Sequence, residues 1–356
     1  MVALVPTDTK NVLADLSGVV VQPGDNPYQA LIAACDNDPA RIQALYSTHR
    51  TLRNAQQRAK FLDPAFVEVL VDPFLVRIEN PSIDPSFADP RHGLVFWARP
   101  PEHVLQLAAH VQTLLQKAAP NGLWLMPMNR QHMTALEIIH SKTPAEALAV
   151  VDQMAKAKST ETGESGIATI ANYPYAHRAR LVKPMVAYDL AGVALSFVPA
   201  AGEPRASPAP IPPAQNADAV PVDDAYTYHH LRCDLFNRAQ ATGVDIASRY
   251  VVPSAHITLA RFIGQEDHAT FEARQAWVDK LDEINKRLEE EVWDKVWEVP
   301  ADEAESRASG YYKSNLPPPH QRLVGEWVVG QERGLDARTG ALWYGGGRSV
   351  MVGQGF

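Results

Sequence analysis

Two short segments constrain this chain more than any other feature. LMPMNRQHMTALEII and YVVPSAHITLARFI each carry a His-x-Thr step inside a run of apolar and β-branched residues. In a strand, residues i and i+2 point to one face. His132 then pairs with Thr134, and His256 with Thr258, on one side of each strand. The same step occurs at His49–Thr51 and His268–Thr270. The first lies inside a helical pattern and the second at the opening of a long helix, where i and i+2 do not face each other. Both are set aside as solvated helix residues. The remaining two histidines stand on either side of GEPRASPAPIPPAQNADAVPVD (201–222), a composition that predicts a linker or long surface loop.

Around this pair, helical and strand-like segments alternate. Apolar spacing predicts helix over 27–62 (broken near Asn37–Pro39), 101–118, 143–158 with Thr143 as N-cap, 225–242 and 266–296. Strand is expected at 93–100, along a long segment 122–139 with Pro127 at a bulge or edge position, at 185–200, at 249–263, and in turn-linked strands over 325–353. The predicted fold class is α+β. It has two pseudo-symmetric lobes, each an antiparallel sheet with outer helices, and an active-site cleft between them. The expected division is a helical segment 1–88 packed on the core, a first lobe 89–200, the 201–222 linker, and a second lobe 223–356.

Composition narrows the partners. The 356 residues are 46% hydrophobic, with a formal net charge of -8. A chain this acidic lacks the broad basic face that duplex DNA needs, while a local basic pocket suits a small nucleotide or one RNA end. Cys35 and Cys233 are too few for a disulfide framework and read as buried, inert thiols. The N-terminal MVALVPTDTK has no basic region followed by an apolar run, and no apolar stretch reaches the ~20 residues of a membrane span. A monomer in the cytoplasm or nucleus, with no membrane contact, is expected.

HMTALEIIHS and HITLARFI resemble the paired H-x-[ST]-x signatures of the two-histidine phosphoesterase superfamily, and more closely its fungal RNA-ligase and cyclic-nucleotide-phosphodiesterase-like subgroup. YTYHHLR and INKRLEEEVW are similar to that subgroup too, so the resemblance runs over roughly residues 90–356. Ala135 is smaller than the usual apolar residue after the first threonine. The resemblance implies a metal-independent, cofactor-free phosphodiesterase. It would open 2′,3′-cyclic phosphates of nucleotides or RNA ends, or an ADP-ribose cyclic phosphate, to a 2′-phosphate. It also implies His256 as base toward water, His132 as acid toward the leaving oxygen, and Thr134 and Thr258 as phosphate ligands. The alternatives are 2′–5′ RNA ligation at the same site and a non-catalytic nucleotide-binding module. The residue types suit the chemistry, since imidazole titrates near working pH and hydroxyls donate to non-bridging oxygens.

Strict strand alternation adds Arg130 and Phe262 as substrate contacts and leaves Arg261 on the opposite face. Tyr344 and Arg348 are further candidate contacts flanking Gly345–Gly347, which read as a bulge or turn. His140 reads as structural, His229 and His230 as a helix face rather than metal ligands, and Glu289–Glu291 as a solvated helix surface.

Overall fold

Three Asx–Pro steps open the first three helices: α1 (Pro27–Ala34) after Asn26, α2 (Pro39–Phe61) after Asp38, and α3 (Pro73–Glu79) after Asp72. In each, the Asx side chain accepts an orphan amide hydrogen and proline takes a position whose N–H is not needed. The computed structural model describes residues 15–22, 24–159, 162–206, 222–249, 252–295 and 323–356. The expected break lies between α1 and α2, where Asp36 and Asn37 take positive φ. Further along are α4 (Glu102–Ala118), α5 (Pro144–Lys156), α6 (Gly166–Ala171), α7 (Tyr228–Gln240) and α8 (Phe271–Glu291). Thr143 caps α5 in a full capping box with Glu146. Thr270 is the N-cap of α8, so the threonine of that His-x-Thr step serves a helix end. The short α6 has no counterpart in the sequence pattern.

Nine strands occur among the described residues: β1 (His92–Ala98), β2 (Leu123–Leu125), β3 (Met133–Lys142), β4 (Arg180–Asp189), β5 (Gly192–Pro199), β6 (His256–Phe262), β7 (Trp327–Val328), β8 (Asp336–Ala341) and β9 (Arg348–Val352). The expected long strand 122–139 is interrupted. Pro127 lacks an amide donor, and Met128–Arg130 form a 3-10 turn between β2 and β3. The run 185–200 is the inner part of a hairpin, β4–β5. The segment 266–296 opens with a 3-10 turn at Glu266–His268 before α8.

The strands form one antiparallel sheet in the order β7-β4-β5-β6-β3-β1-β8-β9, with β2 beside the outer part of β6. The two central strands touch through one register pair, Met133↔Ile257. The molecule is thus α+β, with two four-stranded halves meeting at a narrow seam. The halves do not follow the expected division at 201–222. β4 and β5 lie with β6, while β8 and β9 reach back to β1. Residues 207–221 of that proline-rich stretch lie outside the described residues. α2 and α8 pack on β4, α7 on β3, and α5 on β1. Among the described residues, no helix is long and apolar enough to cross a membrane.

Two histidines read as solvated are buried. His49 faces the core side of α2. His268 sits among Phe61, Phe262 and Trp277, and neither ring nitrogen has a hydrogen-bond partner. Burial lowers His268 to about 4 and the fully buried His229 to about 3. The unfolded chain takes up these protons near pH 6.5, whereas the folded protein does not. Their contribution is therefore complete above about pH 6.5 and falls as pH drops toward 4. Each imidazole costs up to roughly 2 kcal/mol of stability at pH 5. Calorimetry between pH 7 and pH 5 should show a falling Tm, with a shallower slope in His268→Met. An unchanged slope in that variant refutes the attribution.

Candidate active site

The seam places the two motifs against each other. With Met133 opposite Ile257 in an antiparallel pair, His132 lies across from Thr258 and Thr134 across from His256. Met133 and Ile257 are buried on the core face, so the four motif residues share the other face. Cross-strand neighbours stand about 4.5–5.5 Å apart at Cβ, with diagonal neighbours about 7–8 Å apart. The histidines occupy one diagonal of this four-residue square and the threonines the other.

Both strands bulge one residue after the threonine. Trp97 pairs with Thr134 and Phe96 with Leu136, which leaves Ala135 extra; Ala194 pairs with Thr258 and Val193 with Ala260, which leaves Leu259 extra. An extra residue moves every later side chain to the other face. Glu137 and Arg261 therefore enter the cleft at equivalent positions, and Phe262 turns into the core against Phe61 and Trp277. The expectation that Phe262 meets ligand while Arg261 faces away is corrected by this bulge.

Two cavities meet over the square, of about 90 and about 390 Å³. His132 and Thr134 line the smaller and His256 the larger, while Thr258, Arg249, Arg261, Trp343 and Tyr344 line both. Arg249 is held by Glu137 (2.9 Å), with its guanidinium 4.6 Å from the Trp343 ring centre. His140 sits at the edge of the smaller cavity.

Each imidazole is oriented from behind. His132 Nδ1 donates to the Arg130 carbonyl at 2.8 Å, and its ring stacks on Trp97 with centroids 3.7 Å apart. The Arg99–Asp336 ion pair (2.8 Å) supports that region, and Arg99 donates to the Gln131 carbonyl. His256 Nδ1 lies 2.8 Å from Ser254 Oγ. Burial, then the Arg99 and Arg338 charges, holds His132 at about 3. Burial, then Arg53, Arg261 and His132, holds His256 at about 3. Both rings are therefore neutral at pH 7.

Beneath the seam, the fully buried Arg232 ties both motifs together. It donates to the Ala135 carbonyl beside Thr134, and to the Val252 and Ser254 carbonyls leading into His256. Its remaining nitrogen donates to the Tyr28 hydroxyl.

Three further expectations change. The 3-10 turn breaks alternation at Arg130, whose side chain pairs with Glu79 at 2.8 Å; its backbone carbonyl is what serves His132. Arg348 is exposed on the edge strand β9 and lines neither cavity. Tyr344 does line the cleft, but its hydroxyl donates to Asp72 and it takes a positive φ of 59°. Gly345 follows at φ 80°, and a Cβ there would meet the Arg130 backbone oxygen at 2.8 Å. Only glycine allows that approach, and it presses the turn against the residue that aims His132. Trp97, Glu137, Ser254, Arg249 and Arg53 were missed, since the first four enter the site through cross-strand pairing or a loop and Arg53 through the packing of α2 on the sheet. Among the described residues, no group of three or more His, Cys, Asp or Glu is placed to hold a metal ion.

No family model matches the chain, and no curated protein matches it. Among solved structures it is similar to a conserved protein of unknown function from Agrobacterium tumefaciens. The match has 16% identity, covers 56% of this chain and 74% of that chain, and has a TM-score of 0.33. So slight a likeness carries no argument about fold or function.

Proposed function

We propose that this chain is a metal-independent phosphodiesterase that opens 2′,3′-cyclic phosphates of nucleotides or RNA ends to a 2′-phosphate. The square of two imidazoles and two hydroxyls across the Met133↔Ile257 pair carries the reading. A phosphate above it meets two hydroxyl donors on one diagonal and two proton-transfer groups on the other. Binding a nucleotide needs no such pair of histidines, which weighs against a purely non-catalytic module. Ligation to a 5′-hydroxyl would use the same groups in reverse.

The hydrogen bonds favour a division of labour. A carbonyl only accepts, so His132 Nδ1 carries its proton toward Arg130 and the neutral ring has a bare Nε2, ready to take a proton from water. The Ser254 hydroxyl can donate to His256 Nδ1, which leaves Nε2–H on His256 as the donor to the leaving ribose oxygen. This reverses the roles implied by the resemblance. A bound phosphate anion opposes the arginine charges and raises both imidazoles toward the working range.

Hydrolysis of adenosine 2′,3′-cyclic phosphate in excess EDTA tests the activity, and product analysis identifies the ester oxygen that leaves. Binding without turnover would favour the binding module. An aryl phosphodiester, whose phenolate leaves unprotonated, tests the roles. His256→Ala should retain far more of its activity on the aryl ester than on the cyclic nucleotide, while His132→Ala loses both. The opposite pattern restores His256 as base.

A further inference from the structure

We infer that the larger cavity beside His256 is a second anion subsite, and that the preferred substrate is a cyclic phosphate ester carrying a further phosphate. This rests on the phosphodiesterase reading and names the substrate class of that site. The cavity, about 390 Å³, falls in the range of small-molecule sites and exceeds what a cyclic phosphate alone requires. Its floor is the cleft face of β5, where Ser196, Ala194 and Gly192 pair directly with His256, Thr258 and Arg261. Small side chains there leave room above the strand.

The walls are rich in donors. Arg50, Arg53, Arg249 and Arg261 line the cavity against one carboxylate, Asp189. Asp189 is already engaged by the Ala191 and Gly192 amides and by Arg53 at 2.8 Å. Arg261 Nε is buried without a hydrogen-bond partner. His49 Nδ1 accepts the Leu16 amide, which leaves the neutral ring's proton on Nε2 as one more donor in the lining. In a chain of net charge -8, this excess of cations is local to the cleft. Arg53 pairs with Asp189 and Arg249 with Glu137, whereas Arg50 Nε, like Arg261 Nε, is buried without a hydrogen-bond partner, and guanidinium donors of this kind match phosphate oxygens.

The test compares adenosine 2′,3′-cyclic phosphate with its 5′-phosphorylated counterpart, in excess EDTA. The wild type should prefer the 5′-phosphorylated form by at least about tenfold in kcat/KM, with the preference shrinking as salt rises. Arg53→Gln should bring the ratio of the two substrates, taken within that variant, close to one, while Arg53→Lys retains part of it. An equal ratio in Arg53→Gln and wild type overturns the role of Arg53. Equal hydrolysis of both substrates by the wild type overturns the subsite and leaves the phosphodiesterase intact. If neither is hydrolysed, the phosphodiesterase reading fails. Calorimetric binding then decides the subsite: tighter binding of the 5′-phosphorylated form supports it, and equal or no binding overturns it.

Discussion

His132→Ala and His256→Ala should each lower kcat for a 2′,3′-cyclic nucleotide by about 10²–10⁴-fold in excess EDTA, the usual worth of a positioned proton-transfer group. Each ring lines the cleft rather than filling the core, so the fold should persist. Loss of His132 uncovers one face of Trp97 and should cost on the order of 1 kcal/mol of stability. Circular dichroism and a thermal melt separate that cost from the kinetic one. KM should change little, because phosphate affinity comes from the threonine hydroxyls and the arginines. Thr134→Val and Thr258→Val should each cost about 10²–10³-fold in kcat by removing a donor to developing charge. Activity that survives both histidine substitutions would remove the square from the mechanism.

The largest structural effect should come from Arg232→Ala. Its guanidinium is wholly inside the protein, bonded to three backbone carbonyls and one phenol, and packed over the Tyr28 ring at 4.4 Å. Truncation takes the Arg232 donor from the Ala135 and Ser254 carbonyls, while the Val252 carbonyl keeps the Ser254 amide and the Tyr46 hydroxyl. Removing one side of such a buried charged network costs about 3–5 kcal/mol. In a protein of this size that is a fall in Tm on the order of 10 °C. Those carbonyls adjoin Thr134 and His256, so kcat should fall as well, even at temperatures where the variant is folded. Arg232→Lys reaches fewer of the carbonyls and should fall between. Urea denaturation measures the loss; a change below about 1 kcal/mol would mean that water or local rearrangement satisfies the carbonyls.

Local signals were readable in the sequence where they act locally. The cap at Thr143 and the break near Asn37–Pro39 follow from residues that act on their own helix ends, whereas the caps at Asn26 and Asp38 emerge only in the structure. The choice among four His-x-Thr steps rested on the same kind of reasoning, and Thr270 as an N-cap shows why the discarded step had a threonine at all. Burial was less legible. His49 and His268 carry polar side chains on helical segments, yet packing against α2's neighbours and the Phe61 cluster buries both.

What the sequence by itself determined is the α+β class, most of the helix positions, and the two strand segments that carry imidazole and hydroxyl on one face. Each depends on contacts within a few residues along the chain. Tertiary structure decided that β3 and β6 are neighbours, that β8 and β9 return to β1 across the expected lobe boundary, and that Arg261 rather than Phe262 faces the cleft. The physical reason is the period of two. Alternation predicts a side chain's face only until one residue is added, and the bulges at Ala135 and Leu259 are set by partners on β1 and β5, far away in sequence.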